Sequence, residues 1–214
     1  MNVNKIITRA VQELESGQIV NLGIGLPTKI LDYISPDLDI FFQSENGLLG
    51  AQKISDETSI NPELIDAGGK YIGIRNGASF FDSSVSFAMI RRGKIDLTIM
   101  GAFEVDQEGS LANWKIPGYF SPGIGGAMEL AQKTPKVIIL CSHNDKKGNS
   151  KILKKCKLPL TAKKCISRII TDKAVIDVTD NGLVLKEIAD GLTLEELIEQ
   201  TDAPLIIPQN IGTF

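Results

Sequence analysis

The first apolar positions, Ile6, Ile7, Ala10, Val11 and Leu14, recur every three to four residues. That period predicts an amphipathic helix over residues 4–16, ended by Ser16-Gly17. From there, short apolar runs alternate with helical patterns. Gln18–Leu22 reads as a buried strand running into Gly23-Ile24-Gly25-Leu26-Pro27, with a second helix over roughly 27–34. Leu38–Gln43 is the next strand, stopped by Ser44-Glu45-Asn46-Gly47. Phe87–Arg91 falls in a helix, and Ile95–Met100 is a strand ending at Gly101. Ala127, Met128, Leu130 and Ala131 mark a helix after a glycine turn. Further strands are predicted at Val137–Cys141, Val175–Val178 and Leu183–Ile188. Thr193 and Glu196 form the pattern of a capping box, opening a last helix through Gln200 before Pro204.

Alternation at this spacing predicts an α/β protein with α/β/α layers around a largely parallel, open sheet. A single domain over residues 1–214 is expected, its one candidate seam being the lysine-rich stretch near 145–165. Glycines gather where strands end: Gly23 and Gly25, Gly47 and Gly50, Gly101, and Gly123, Gly125 and Gly126. In open α/β sheets, ligands bind at the edge beyond the carboxyl ends of the strands.

Composition narrows the class. With 43% hydrophobic and 23% charged residues among 214, the bulk of the chain can bury a core and is not disordered. Runs such as Val137–Cys141 are too short to cross a bilayer. Residues 1–20 carry Glu13 and Glu15 and resemble neither a signal nor a transit peptide, so a soluble, cytoplasmic protein without a membrane partner is expected. Cys141, Cys156 and Cys165 lack C-x-x-C spacing, which argues against a disulfide framework or zinc ribbon.

The net charge of −3 hides an asymmetry. Residues 146–164 hold eight lysines and no acid, and removing those eight charges leaves −11 on the remainder. The sequence pI near 5.3 is far below the value above about 9 expected of a nucleic-acid-binding chain. The cluster reads either as a solvated lysine-rich loop and helix face or as a patch that attracts a phosphate-bearing small molecule.

Several chemistries fall away. One histidine, His143, rules out His-rich metal sites, and its place in Cys141-Ser-His143 fits a strand end. Gly23-x-Gly25-x-x-Thr28 lacks the third glycine of a dinucleotide fingerprint. Glu104-x-Asp106-x-Glu108-Gly109 mimics a calcium loop but places Lys115 where a bidentate Glu is required, so no metal is expected. Two segments remain. The turn Gly123-Ile-Gly125-Gly126 before a helix exposes backbone N–H groups that could cradle a phosphate or an oxyanion, or it is simply a tight loop. Phe42-Gln-Ser-Glu45-Asn46-Gly47-Leu-Leu-Gly50 sets a carboxylate on a turn directly after a buried strand, with Asn46-Gly47 expected to supply left-handed backbone.

Residues 42–50 resemble, position for position, the active-site signature of the β subunit of family I CoA-transferases, the 3-oxoacid and acetate/butyrate–acetoacetate type. The resemblance extends through Asn21–Pro27, Phe81-Asp-Ser-Ser84, Ala112-Asn-Trp114, Ile116-Pro-Gly118, Gly125-Gly-Ala-Met128, Lys151–Cys156 and Leu158–Thr161. It implies that Glu45 is a nucleophile carrying coenzyme A as a glutamyl thioester between short-chain carboxylic acids. It implies oxyanion donors on the backbone of Gly125 or Gly126, and a CoA channel lined by Gly23, Ile24, Gly25, Leu26 and Pro27. Asn46 and Gly47 would shape the nucleophile turn, and Lys147 would lie near CoA. No permanently bound cofactor is implied: coenzyme A is a co-substrate. The partner implied is an α subunit, in a hetero-oligomer such as α2β2. A carboxylate with a reference pKa of about 4.3 is ionised at pH 7 and needs no histidine base.

The chain departs from the family's usual pattern at Arg91-Arg92-Gly93-Lys94, Tyr119, Pro122 and Cys141-Ser-His143-Asn144. Tyr119 bears on the acyl substrate if its loop faces the pocket. Three readings stand at this point: a CoA-transferase of the β type, an acyl-CoA hydrolase on the same scaffold, and a non-catalytic metabolite-binding chain. The intact Glu45 signature argues against the third.

Overall fold

The computed structural model describes residues 3–54, 56, 58 and 60–214. Met1 and Asn2, part of the stretch read for a leader, lie outside them. The chain opens with helix α1 (Val3–Val11), then strand β1 (Ile19–Leu22) and a 3-10 helix over Pro27–Asp32. Strands β2 (Phe41–Ser44), β3 (Leu48–Gln52) and β4 (Gly73–Phe80) follow, then helix α2 (Ser83–Arg91) and strand β5 (Leu97–Met100). A small sheet takes β6 (Glu104–Asp106), β7 (Leu111–Ala112) and β9 (Ile152–Leu153), with helix α3 (Ala127–Lys133) and strand β8 (Lys136–Leu140) between them in sequence. The last third contributes β10 (Arg168–Ile170), β11 (Ala174–Thr179), β12 (Gly182–Ile188), helix α4 (Leu194–Glu199), β13 (Leu205–Ile206) and β14 (Gly212–Thr213).

Among the described residues, eleven strands form one sheet in the order β13-β12-β11-β10-β8-β5-β1-β2-β3-β4, with β14 beside β12. Its centre, β10-β8-β5-β1-β2, is parallel throughout. Antiparallel pairs extend it on both sides, β2-β3-β4 on one and β10-β11-β12 on the other. The α/β layered architecture with a mostly parallel centre matches the sequence expectation.

Alternation along the strands builds two cores. Val137 and Ile139 of β8 and Ile169 of β10 join Ile90 of α2 and Leu130 of α3 on one face. Ile138 and Leu140, Ile170, Val20 and Ile99 join Ile6, Ile7 and Ala10 of α1 and Ile30 of the 3-10 helix on the other. A parallel sheet covered on both faces needs apolar side chains in both directions, which explains the unbroken run at 137–140.

Local differences have local causes. The first helix ends at Val11, because the next amides bond three residues back: Glu13 N to Ala10 O at 3.0 Å and Leu14 N to Val11 O at 3.1 Å. Leu14 is still buried, so the apolar period outlasts the α-helix. Pro27 starts a 3-10 rather than an α-helix. The lysine-rich stretch holds the short strand β9 and no helix, so the helix-face reading of it is corrected. The capping box on α4 is present, with Glu196 N donating to Thr193 Oγ1 and Thr193 N to Glu196 Oε2.

Glu13, buried just past the end of α1, accepts from Arg9, Lys136 and Arg168. Burial pushes its pKa up, but the three cations outweigh that and hold it below the ordinary range. Glu187 pairs with the same Arg9, tying α1 to β12.

Candidate active site

Glu45 is the first residue beyond β2, on the turn into β3. Its neighbour in space is the end of β1, since Asn21 pairs with Gln43, and β1 in turn pairs with β5. Gly23 lets these ends converge: a β-carbon there would sit 3.3 Å from Ile99 O and Met100 Cα. Beneath the turn runs a buried polar chain. Gln43 Nε2 donates to Ser86 Oγ at 2.7 Å, Asn21 Nδ2 donates to Gln43 Oε1 at 2.7 Å, and Thr98 Oγ1 donates to Asn21 Oδ1 at 3.4 Å. Each group is satisfied, so the chain is a rigid support rather than a reactive cluster.

The turn itself is held from two sides. Asn46 Nδ2 donates to Ile65 O at 2.8 Å, and Ala67 N donates to Ser44 Oγ at 2.9 Å. Phe81 N donates to Gly47 O at 2.9 Å. Gly47 has φ +119°, and any β-carbon there would overlap Phe81 O, so two independent constraints demand glycine. Asn46 does not share the left-handed backbone expected of it; Gly47 alone carries the positive φ, and Asn46 serves through its side chain.

Glu45 is half-buried, and among the described residues no cation pairs with it. Burial raises its pKa above the ordinary carboxylate value, and a backbone hydrogen bond from Gly126 partly offsets that. Gly126 stands at the N-cap of α3 and faces the carboxylate so closely that a β-carbon on it would lie 2.6 Å from Oε2. A carboxylate partly withdrawn from water, close to the backbone of Gly126 and unpaired with any cation among the described residues, is suited to nucleophilic attack, because hydration is lost while no counter-ion quenches the anion.

Around Glu45 opens a cavity of about 850 Å³ along the carboxyl ends of β2, β1, β5 and β8. Of the residues singled out from the sequence, Glu45, Gly23, Ile24, Leu26, Gly125 and Gly126 line it together. Gly25 and Pro27 are not among the lining residues: Gly25 is exposed on the turn with φ +103°, and Pro27 is buried at the start of the 3-10 helix. Lys147 does not reach the wall; it sits exposed on a turn where its N–H donates to Asp145 Oδ1 at 2.7 Å. Tyr119 is 87% exposed and faces solvent, whereas its neighbour Phe120 lines the cavity and meets Phe103 edge-on, with ring centroids 5.9 Å apart. The loop that carries Tyr119 thus faces the cavity as expected, through Phe120 and Pro122, while the Tyr119 side chain itself turns away.

Sequence reasoning missed Asn21, Phe103, Trp114 and Lys151 as cavity residues. Trp114 carried a signal, since its motif packs on another: Trp114 Nε1 donates to Leu160 O at 3.2 Å, and Thr161 Oγ1 to Asn113 Oδ1 at 2.6 Å. A second groove of about 850 Å³ lies by the β11–β12 turn and β13; Glu108 and Lys164 line it, but none of the residues assigned to catalysis or coenzyme A does.

Glu104 Oε2 accepts from the amides of Lys157 and Leu158, and Asp106 Oδ1 from those of Glu108 and Ser110, so both side chains serve to hold backbone turns. Among the described residues, no cluster of metal-ligating side chains occurs. His143 is fully buried just past β8, its ring nitrogens within 3.0 Å of Thr171 Oγ1 and 2.9 Å of Thr201 Oγ1. Burial and the nearby Lys173 cation push its pKa down to about 4, so it is neutral and structural.

Comparison with known proteins bears on this arrangement. Residues 4–200 match the family model described as coenzyme A transferase. The chain is 48% identical over 208 residues to the beta subunit of the acetate CoA-transferase of Haemophilus influenzae, covering 97% of this chain and 93% of that one. It is equally 48% identical, over 198 residues, to the corresponding subunit of the succinyl-CoA:3-ketoacid coenzyme A transferase of Helicobacter pylori, covering 92% and 95%. Among solved structures, the acyl-CoA transferase YdiF apoenzyme of Escherichia coli O157:H7 superposes with a TM-score of 0.80 at 20% identity. That likeness takes in 100% of this chain and 44% of the larger one, and it speaks to the fold.

Proposed function

The chain belongs to the coenzyme A transferase family, and we propose that it is the nucleophile-bearing β subunit, moving coenzyme A between short-chain carboxylic acids through Glu45. One observation carries the reading: a half-buried carboxylate, free of any cation, stands at the sheet's carboxyl edge in a large cavity against the Gly126 N–H.

The steps follow from the chemistry of the groups. A Glu45 oxygen attacks the thioester carbonyl of an acyl-CoA; the C–S bond breaks, leaving an acyl-glutamyl anhydride and a CoA thiolate. The thiolate attacks the glutamyl carbonyl, and the released acid departs with the bridging oxygen, leaving a glutamyl-CoA thioester. An acceptor carboxylate attacks that thioester, and the same exchange in reverse delivers the new acyl-CoA and restores Glu45. No proton changes hands, which suits a site with no titrating histidine.

Both tetrahedral intermediates place negative charge on oxygen next to Glu45. The N–H groups of Gly126 and Gly125 are assigned as donors to it; one such donor contributes about 3 kcal/mol. Apolar wall residues such as Met100, Phe103 and Leu130 keep water from the thioester. Gly23, Ile24 and Leu26 are assigned to the channel that admits the pantetheine arm. Asn46 and Gly47 hold the turn, and coenzyme A is a co-substrate rather than a resident group.

The reading includes an α subunit partner, assembled as in an α2β2 complex, and a cytoplasmic setting. Among the described residues no helix is long and apolar enough to cross a membrane. The two relatives of equal identity bear names with different acids. The acid is accordingly assigned only as a short-chain carboxylate.

Steady-state kinetics of the two-chain complex test the reaction order. Varying acyl-CoA at several acceptor concentrations gives parallel double-reciprocal lines if coenzyme A rests on the enzyme between half-reactions. Intersecting lines would defeat the covalent route.

A further inference from the structure

Eight lysines crowd residues 146–164, and the fold treats one of them differently. Seven are exposed; Lys151 is half-buried, and it alone of the eight lines the cavity that holds Glu45. Its backbone is fixed beyond the end of β8: Lys151 N donates to His143 O at 3.0 Å, and Val105 N donates to Lys151 O at 2.9 Å.

Among the described residues, Lys151 and Glu45 are the two charged side chains of the wall, and no acid pairs with the ammonium. The polar neighbours are already engaged. Asn113 Nδ2 donates to Gly101 O, its Oδ1 accepts from Thr161, and Ser142 Oγ donates to Asn144 O. A half-buried ammonium in direct contact with no acid keeps its donors open to an anion that arrives with the ligand.

Position adds a length scale. Glu45 follows β2, and Cys141, whose thiol feels the Lys151 charge, follows β8. Those strands are three spacings apart through β1 and β5, about 14 Å at ~4.8 Å each. The cavity therefore carries a nucleophile at one end and a lone cation towards the other.

We infer that Lys151 is the anion anchor of this cavity, holding a negatively charged group of the ligand whose reactive carbonyl reaches Glu45. The inference rests on the transferase reading above and deepens it. Two ligand groups share the required chemistry, a phosphate of coenzyme A and the second carboxylate of a dicarboxylic acid. Lys147, on its exposed turn, lacks this placement.

The test uses the two-chain complex with Lys151→Ala, Lys151→Arg and, as a control outside the cavity, Lys154→Ala. KM is measured for an acyl-CoA, for the matching acyl-pantetheine, which lacks the phosphates, and for monocarboxylate and dicarboxylate acceptors. Losing a charge-assisted contact raises KM by about tenfold or more. A rise confined to acyl-CoA, restored in Lys151→Arg, identifies the phosphate. A rise confined to the dicarboxylate identifies the carboxylate. Unchanged KM values, a fall in kcat alone, or an equal rise for every substrate including acyl-pantetheine with monocarboxylate overturns the anchor. Trapping of coenzyme A on wild-type Glu45 in the same preparations separates the two ideas. Its absence defeats the transferase reading, while its presence with unchanged KM values defeats the anchor alone.

Discussion

Gly126 and Glu45 are in such close apposition that a β-carbon on the glycine would lie 2.6 Å from Oε2 and 2.8 Å from the carboxyl carbon. The glycine's own backbone, φ −78° and ψ −7°, suits any residue. Space for the Glu45 carboxylate, not backbone freedom, is what excludes a side chain there.

Gly126→Ala therefore separates catalysis from folding. The methyl group displaces the carboxylate from its donor, and misplacement on this scale costs on the order of a hundredfold in kcat. Thermal unfolding of the variant should stay near wild type. Normal turnover in Gly126→Ala would mean that Glu45 works from another position.

Glu45 also sets a pH signature. Burial raises its pKa and the Gly126 hydrogen bond only partly offsets that, so the acid limb of kcat/KM for acyl-CoA should fall above the ordinary glutamate value of about 4.3. Linkage gives the sign for stability. A carboxyl whose pKa is raised by folding stabilises the fold below its unfolded pKa, and that contribution is lost as pH rises through the folded value. Glu45→Gln should consequently be inactive yet melt at a higher temperature than wild type at pH 7 to 8. A lower melting temperature would contradict the assigned desolvation.

His143 makes the opposite prediction at acid pH. Held neutral by burial, with a pKa of about 4 against about 6.5 unfolded, it binds a proton more readily in the unfolded chain. Its stabilising contribution is full above about 6.5 and fades as pH drops towards 4, by roughly 3 kcal/mol at the limit. Urea unfolding at pH 7 and pH 4.5 should show a smaller acid loss in His143→Gln than in wild type. An equal loss in both would assign the acid sensitivity elsewhere, for instance to Glu13, whose lowered pKa acts in the same direction.

Four of the five parallel central strands were legible because strands buried on both faces are apolar almost throughout, as at Leu97–Met100 and Lys136–Leu140; β10, with three residues Arg168–Ile170, was too short to show a period. Strands β3 and β4 were not: Gly50 interrupts one, and Arg75-Asn76-Gly77 at the sheet's edge leaves the other without an apolar period. Pairs as short as β7 and β9 carry no period at all. In the site, Glu45 and the Gly125-Gly126 turn stood out by motif. Which of eight lysines turns inward, and whether Tyr119 or Phe120 faces the cavity, is decided by how distant segments dock. The five-residue turn at Ile116–Phe120, bridged end to end, points adjacent side chains in different directions.

The central claim is that Glu45 becomes covalently joined to coenzyme A during turnover. The two-chain complex, mixed with acyl-CoA and digested, should yield the peptide containing Glu45 with a coenzyme A-sized mass increase that hydroxylamine removes. A complex that binds acyl-CoA and transfers it to an acceptor acid while that peptide stays unmodified would contradict the account.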